Sequence, residues 1–428
     1  MGGWNPIEDI VDIIDDIVDG IGDIIDDVIG WLVPMPDIPD FGELQADLNA
    51  KGVLVNKVSA NAHIPIVYGT RKVGGNIVFL ETSGADNQYL YMAIILSEGE
   101  IDGIEKLFIN DQEVTLSGAL ADNVQRTVDS SDVNFYADGQ SLITVEPHFG
   151  TDTQETSFLI SSGLVGAGGG SWSSNHRLRG LAYLALKFEW NADKFGSLPT
   201  VQALVKGKKV YDPRLDTTVG GSGSHRQNDS TTWAYSDNPI IQLLDYLRND
   251  RFGMGIVDSY FDSNFSDWQT ASNVCDAQIT PYSGASQIDL MNSHTVIDSS
   301  KKAIENVKDL VRGSRSYLNF SAGKYNILVE TTGTASITLD EDNILGGIAV
   351  TSKNKNSRYN RVIVNFINPD KNYQSDTAQF PPVDETGLDT ADQFATMQAE
   401  DGGLLLEGRF DFSMLTSPYQ AQEMAEII

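Results

Sequence analysis

Seven apolar side chains, Ile10, Ile14, Ile17, Ile21, Ile24, Val28 and Trp31, follow one another at alternating spacings of four and three residues. That period is a heptad seam, and it commits the stretch to an amphipathic helix. Asn5-Pro6-Ile7-Glu8 supplies the start, with Asn as N-cap, Pro at the first helical position and Glu at the third. Pro34, Pro36 and Pro39 end the pattern and predict an extended connector. Gly20, Gly22 and Gly30 oppose an unbroken helix, each costing about 1 kcal/mol relative to Ala. A break near Gly20 and Gly22 therefore competes with a single piece of about 40 Å.

The same stretch is acidic. Thirteen Asp and Glu lie within residues 1–50, no Lys or Arg precedes Lys51, and the 428-residue chain carries 60 acidic against 29 basic side chains for a net charge of −31. Such a balance argues against tight nucleic-acid binding and against docking on anionic lipid. The N-terminus has no basic region and Asp interrupts every apolar stretch, so neither a signal peptide nor a bilayer span is visible. Isoleucine at both core positions favours a trimeric coiled coil. A helix packed on a partner or on the chain's own body is the bland alternative. A membrane-surface helix is disfavoured because its polar face would be Asp rather than Lys and Arg. Val11, Ile13, Val18 and Ile25 widen the stripe beyond a bare trimer's needs, which leaves room for helices from another protein.

From Val53 the texture changes to β-branched runs punctuated by glycine. Ile64–Leu80 reads as strand, glycine turn, strand; Tyr89–Ser97 is a strongly apolar run; Leu107–Asn110, Leu178–Trp190 and Thr200–Val210 follow. Helices are expected at Ile240–Arg248 behind Asn238-Pro239, at Phe265–Gln278, at Lys301–Arg312 and from Ser417 onward. A hairpin of Ser316–Phe320 and Lys324–Glu330 turns at Ala322-Gly323, and Arg361–Ile367 is a strand. The last helix has no C-cap, which favours a chain continuing past Ile428. The resulting division is an acidic helical segment and Pro-rich connector over 1–40, and a β-rich domain over 41–235. That domain contains a polar insertion at about 115–178 and a flexible loop at 216–232. An α+β domain over 236–335 and a β-rich domain over 336–428 complete the chain.

No chemistry-bearing constellation stands out. His63, His148, His176, His225 and His294 are scattered, with no second His or Cys at metal-ligand spacing. Cys275, the one cysteine, falls on the apolar side of an expected helix and reads as a small core residue. The glycines of 163–170 precede no basic residue, so they are no phosphate cradle. No catalytic residue, metal site or cofactor is expected, and the chain reads as no enzyme.

Several segments together resemble the tip attachment protein J family, the central tail-hub proteins of long-tailed bacteriophages. The likeness runs through Tyr68-Gly69, Gly74-Gly75, Leu96–Ile109 and Arg179–Tyr183, and is strongest from Leu198-Pro199 through Gly207 to Tyr211-Asp212-Pro213-Arg214. It continues at Asn238-Pro239, Asp245, Gly253-Met254-Gly255 and Asn360–Val364. The resemblance implies a strand-rich, multidomain α+β tail hub, homotrimeric around a central channel at the distal end of the virion's tail. It also implies partners: the tape measure protein's C-terminal segment, the distal tail and other tail-tip proteins, and DNA only in transit. A host cell-surface receptor would be met through a C-terminal region outside this chain or through another protein. Host attachment and gating of genome ejection would follow. The acidic heptads lie outside the matched pattern. A lytic, envelope-degrading tail-tip enzyme is the alternative from a different class, and a secreted acidic adhesin is a third.

Overall fold

Residues Tyr89–Glu98 show why an uninterrupted apolar run becomes a strand here: both of its faces are covered. Leu90, Met92, Ile94 and Leu96 enter one core while Tyr91, Ala93 and Ile95 enter another, following the two-residue period of a strand. The computed structural model describes residues 54, 56–58, 62–164, 172–195, 197–280, 286–331, 358–381 and 393–428. These fall into two units, one ending at Val210 and joined by Val296–Lys302, the other formed by Tyr211–Thr295 and Ala303–Ile428. The chain is strand-rich with a few helices, an α+β multidomain protein.

The first unit contains β1 (Ile66–Tyr68), β2 (Thr70–Val73), β3 (Asn76–Ser83), β4 (Tyr89–Glu98), β5 (Ile101–Ile109), β6 (Ile143–Phe149), the short helix α1 (Phe158–Gly163), β7 (Leu181–Glu189) and β8 (Val201–Val210). Its larger sheet has the order Lys57–Val58, β3, β4, β7, β6, Arg126–Thr127. All neighbours there are antiparallel except Lys57–Val58, which runs parallel to β3. In a second antiparallel group β8 pairs with both β2 and β5, and β5 pairs on with Gln112–Glu113. The main core lies where the even-numbered residues of β4 meet Ile101, Leu107 and Ile109 of β5, Leu184 and Leu186 of β7, and Val201 and Val205 of β8. The reverse face of β4 and β7 is closed by Ile160 and Leu164 around α1 and by Trp172. Thus β6 and α1, both inside the polar stretch 115–178, are integral to this unit: one is a sheet strand and the other covers a core face.

The second unit begins with α2 (Pro239–Arg248), α3 (Ser266–Cys275) and α4 (Ala303–Gly313). Every residue of α2 from Pro239 to Leu247 is buried, as expected for a helix apolar on nearly all sides. Helices α3 and α4 pack against it, and Asn306 of α4 donates to the Tyr246 hydroxyl at 3.0 Å. The hairpin β9 (Ser316–Ser321) and β10 (Lys324–Val329) turns where expected, with Ala322 and Gly323 in the left-handed region at φ 50° and 76°. A three-stranded sheet follows. Its centre is β11 (Arg361–Asn368), flanked antiparallel by β12 (Gln374–Phe380) and, after α5 (Gln393–Glu400), parallel by β13 (Glu407–Asp411). The final helix α6 (Pro418–Ile427), capped by the Ser417 side chain, packs on β11 and β12.

Candidate functional site

The motif positions resolve into turns, close approaches and one polar junction. In the first unit Tyr68 is fully buried in β1. Gly69, at φ 65°, turns the chain into β2 and accepts from the Gly207 amide at 2.7 Å. A side chain at Gly207 would bring its Cβ to 2.3 Å from the Val67 carbonyl oxygen, so β1 and β8 approach there only because the residue is Gly. Gly74 and Gly75 turn β2 into β3; the Gly74 carbonyl accepts from the Asn56 side chain, and the Gly75 carbonyl accepts from the Lys57 amide at 3.1 Å. Pro199 is buried just ahead of β8. The heptad positions Ile10, Ile14, Ile17, Ile21, Ile24, Val28 and Trp31 lie outside the described residues.

The second unit holds the junction. Asp212 caps the 3-10 turn Pro213–Leu215 by accepting from the Arg214 amide at 2.9 Å. The same carboxylate takes the Arg214 guanidinium through Nε at 3.0 Å and Nη2 at 2.7 Å. Arg214 Nη1 reaches Asp276, the C-cap of α3, and also donates to Asn273 Oδ1 at 3.3 Å. The other Asp276 oxygen accepts from Asn238 Nδ2 at 2.6 Å. Asn238 meanwhile caps α2, accepting from the Ile240 and Ile241 amides at 3.0 and 3.3 Å, and donates to the Ser272 carbonyl at 2.9 Å. The Tyr-Asp-Pro-Arg turn and the Asn-Pro helix start, distant in sequence, are therefore joined through Asp276.

A second layer backs the turn. The Tyr211 hydroxyl donates to fully buried Asp216 at 2.8 Å. Asp216 also accepts from the Thr218 amide at 2.8 Å, from its hydroxyl at 2.7 Å and from Arg226 Nη1 at 3.2 Å. His225 Nδ1 accepts from the Asp212 amide at 3.1 Å. The Trp233 indole closes the segment by donating to the Arg226 carbonyl at 2.9 Å. Residues 216–232 are thus pinned by 3-10 turns and side-chain hydrogen bonds, where their Gly, Ser and Asp content alone led to the expectation of a flexible loop. The same polar residues that make loops also build tight turns when a buried carboxylate collects their donors.

Asp245 is buried in α2. Gly253 and Gly255 close that helix, with the Met254 amide on the Tyr246 carbonyl at 3.1 Å and the Gly255 amide on the Asn249 carbonyl at 2.9 Å. A Cβ at Gly253 would stand 1.9 Å from the Tyr246 oxygen, so no other residue fits there.

The electrostatics are those of a fastening. Burial works against the charge of Arg214, but Asp212 and Asp276 together raise its pKa and hold it protonated. Burial likewise opposes ionisation of Asp216, yet the Thr218 and Tyr211 hydrogen bonds and Arg226 keep its carboxyl below the usual range. Burial, with Asp216 beside it, pushes the Tyr211 hydroxyl up. Burial lowers His225 despite Asp212 and Asp216 nearby. The Cys275 thiol is pushed up to about 12 by burial, so it stays protonated and inert. Among the described residues no group of three or more His, Cys, Asp and Glu is set to hold a metal ion. The sequence reading did not single out Asp276, Asp216, Arg226 or Ser272. Asp276 and Asp216 are two among 60 acidic residues, and only position in space marks them and their partners Arg226 and Ser272.

A comparable cluster sits in the first unit. Glu146, buried in β6, accepts from His148 Nε2 and Gln125 Nε2, each at 2.8 Å, and from the Phe158 and Leu159 amides that begin α1 at 2.9 and 2.8 Å. The His148 ring stacks on Tyr183 with centroids 4.3 Å apart.

No family model matches the chain. Among characterised proteins it is similar to the baseplate hub protein pb3 of Escherichia phage T5, 23% identical over 412 residues. The match covers 85% of this chain and 41% of the relative, so the chain spans about two fifths of that protein's length. The chain is a homologue of a phage baseplate hub protein. In fold it is similar to a chain from the virion of a native gene transfer agent particle, with a TM-score of 0.51 at 12% identity, covering 87% of this chain and 73% of the other. The first likeness is to a baseplate hub and the second is one of fold alone; neither singles out the J-like family expected from the motif order.

Proposed function

We propose that this chain is a structural hub of a phage tail tip or baseplate. The observation that carries the reading is the similarity to a baseplate hub over 85% of the chain, an extent that takes in both units. The polar junction fits it: each of its carboxylates is engaged by a cation, an amide or a hydroxyl, as a scaffold requires.

In this reading three copies surround a channel at the distal end of the tail, a position that the J-like order of motifs supports. The tape measure protein's C-terminal segment is the partner this reading gives to the acidic heptad sequence of residues 1–40. A channel wall that shares the chain's net negative charge repels DNA phosphate and keeps the genome from lingering during ejection. Receptor contact falls to a region outside this chain or to another tail-tip protein. Quantitative mass spectrometry of purified particles tests the proposal. Three copies per particle are expected; absence from the particle, or a copy number in the hundreds as for a tube or capsid protein, overturns it.

A further inference from the structure

The strap from Thr217 to Thr232 lies over the Pro213–Leu215 turn with one titratable side chain beneath it. Its buried side chains are Val219 and His225 alone; the others are half-buried or exposed. Backbone bonds fasten the first half. The Gly221 amide donates to the Asp216 carbonyl at 2.9 Å, the Ser222 amide to that of Arg214 at 2.7 Å, and the His225 amide to that of Leu215 at 2.9 Å. The two backbones touch at Gly221, where a Cβ would stand 2.4 Å from the Pro213 and Arg214 carbonyl oxygens.

The imidazole adds a bond of a different kind. Buried Asp212 donates its backbone N–H to His225 Nδ1 at 3.1 Å. A peptide N–H can only donate, so Nδ1 carries the lone pair and the ring's one proton sits on Nε2. A second proton, on Nδ1, sets donor against donor and leaves a charge in a buried place. The Asp212 and Asp216 carboxylates beside the ring favour that proton, but both are already engaged. Arg214 holds Asp212, while Arg226, Thr218 and Tyr211 hold Asp216. The Tyr211 ring lies 6.4 Å from the imidazole, and the Arg248 guanidinium stands 5.3 Å from that same ring. Burial outweighs the two carboxylates and keeps the seated imidazole neutral.

We propose that His225 is an acid-operated latch: when its ring takes up a proton the strap 217–232 lifts from the turn, while Asp212, Arg214 and Asp276 stay joined. Those three side chains bond to one another and not to the ring, so the junction outlasts the latch. The open strap titrates at the ordinary 6.5 and the seated ring below it. Closure is therefore at full strength above that pH. It weakens by up to about tenfold per pH unit below it, until the seated ring itself is protonated. The inference needs only this unit and does not depend on the hub reading.

The test is hydrogen exchange on the full chain at pH 7 and pH 5, compared as protection factors so that the intrinsic slowing of exchange in acid is divided out. Protection at Gly221, Ser222 and His225 is expected to fall about tenfold at pH 5. The Ile240 and Ile241 amides, which Asn238 caps within the junction, are expected to keep theirs. His225→Asn places an acceptor oxygen near the position of Nδ1 and does not titrate, so its strap is expected to stay protected at both pH values. His225→Ala has no acceptor, and its strap is expected to be poorly protected at both. Equal strap protection at the two pH values in the parent overturns the proposal, and so does a parent-like fall in His225→Asn. A fall of the same size at Ile240 and Ile241 assigns the acid effect to the whole unit and overturns the latch as well.

Discussion

Glu146 in one unit and Asp216 in the other are both buried carboxylates flanked by a histidine and a tyrosine, yet they hold different kinds of structure. Glu146 gathers donors from three separated places: Gln125, its strand neighbour His148, and the first turn of α1. It ties a helix and a peripheral segment to the sheet, and three of its four donors are amides. Asp216 works within one stretch, collecting Tyr211, Thr218 and Arg226 so that 211–226 folds as a tight turn. The first carboxylate makes tertiary structure and the second makes local structure. Loss of the first orphans several buried groups at once, while loss of the second leaves Asp212, Arg214 and Asp276 still joined.

That contrast sets an order of effects. Glu146→Ala is expected to cost about 4 kcal/mol, because it strands His148, the Gln125 amide and two helix amides. The checks are the urea midpoint and hydrogen exchange of Phe158–Gly163, which should lose protection first; a cost under about 1 kcal/mol would make Glu146 no more critical than Asp216. Asp212→Ala removes a turn cap and one of the two carboxylates on Arg214, and is expected to cost about 2 kcal/mol by the same unfolding measurement, with exchange rising at 212–226. Tyr211→Phe deletes one hydroxyl from a well-supplied Asp216 and should cost about 1 kcal/mol; a larger loss would make Asp216 as critical as Glu146.

The smallest effect is that of mild acid. Burial holds the folded His225 below its ordinary value of 6.5, so the unfolded chain takes up a proton first and stability falls as pH drops below that value. Glu146 and Asp216 are both held below the usual carboxylate range, Glu146 by His148, Gln125 and the Leu159 amide against the opposing effect of burial. Their contributions are complete above the ordinary carboxylate pKa and are lost only as pH falls through the folded values. Exchange protection at 211–232 should therefore decline between pH 7 and 5, ahead of any decline at 143–149.

Much of the fold was legible because local chemistry and tertiary burial agree. Asn238-Pro239 reads as a helix start and caps α2; Ala322-Gly323 reads as a turn and is one; the apolar run beginning at Tyr89 reads as a strand and is buried on both faces. The strand β6 was less legible, since Glu146, Pro147 and His148 look like the text of a polar insertion, although the carboxylate there is an interior anchor. The motif residues Tyr211, Asp212, Pro213 and Asn238 could be picked out, but not the reason they belong together. Asp276 joins them from 62 residues beyond Arg214, and no local pattern encodes that span. The helix α1 is only six residues long and owes its place to Glu146 rather than to a periodic face of its own.

A cryo-EM reconstruction of the particle's tail end bears most directly on the central claim, that this chain is a tail hub whose polar clusters serve as fastenings. The account predicts three copies around the tail axis at its distal end, each with the Arg214 guanidinium between Asp212 and Asp276. Density that places the chain elsewhere in the particle, or that shows the Asp212–Arg214–Asp276 junction open and occupied by a ligand, would contradict it.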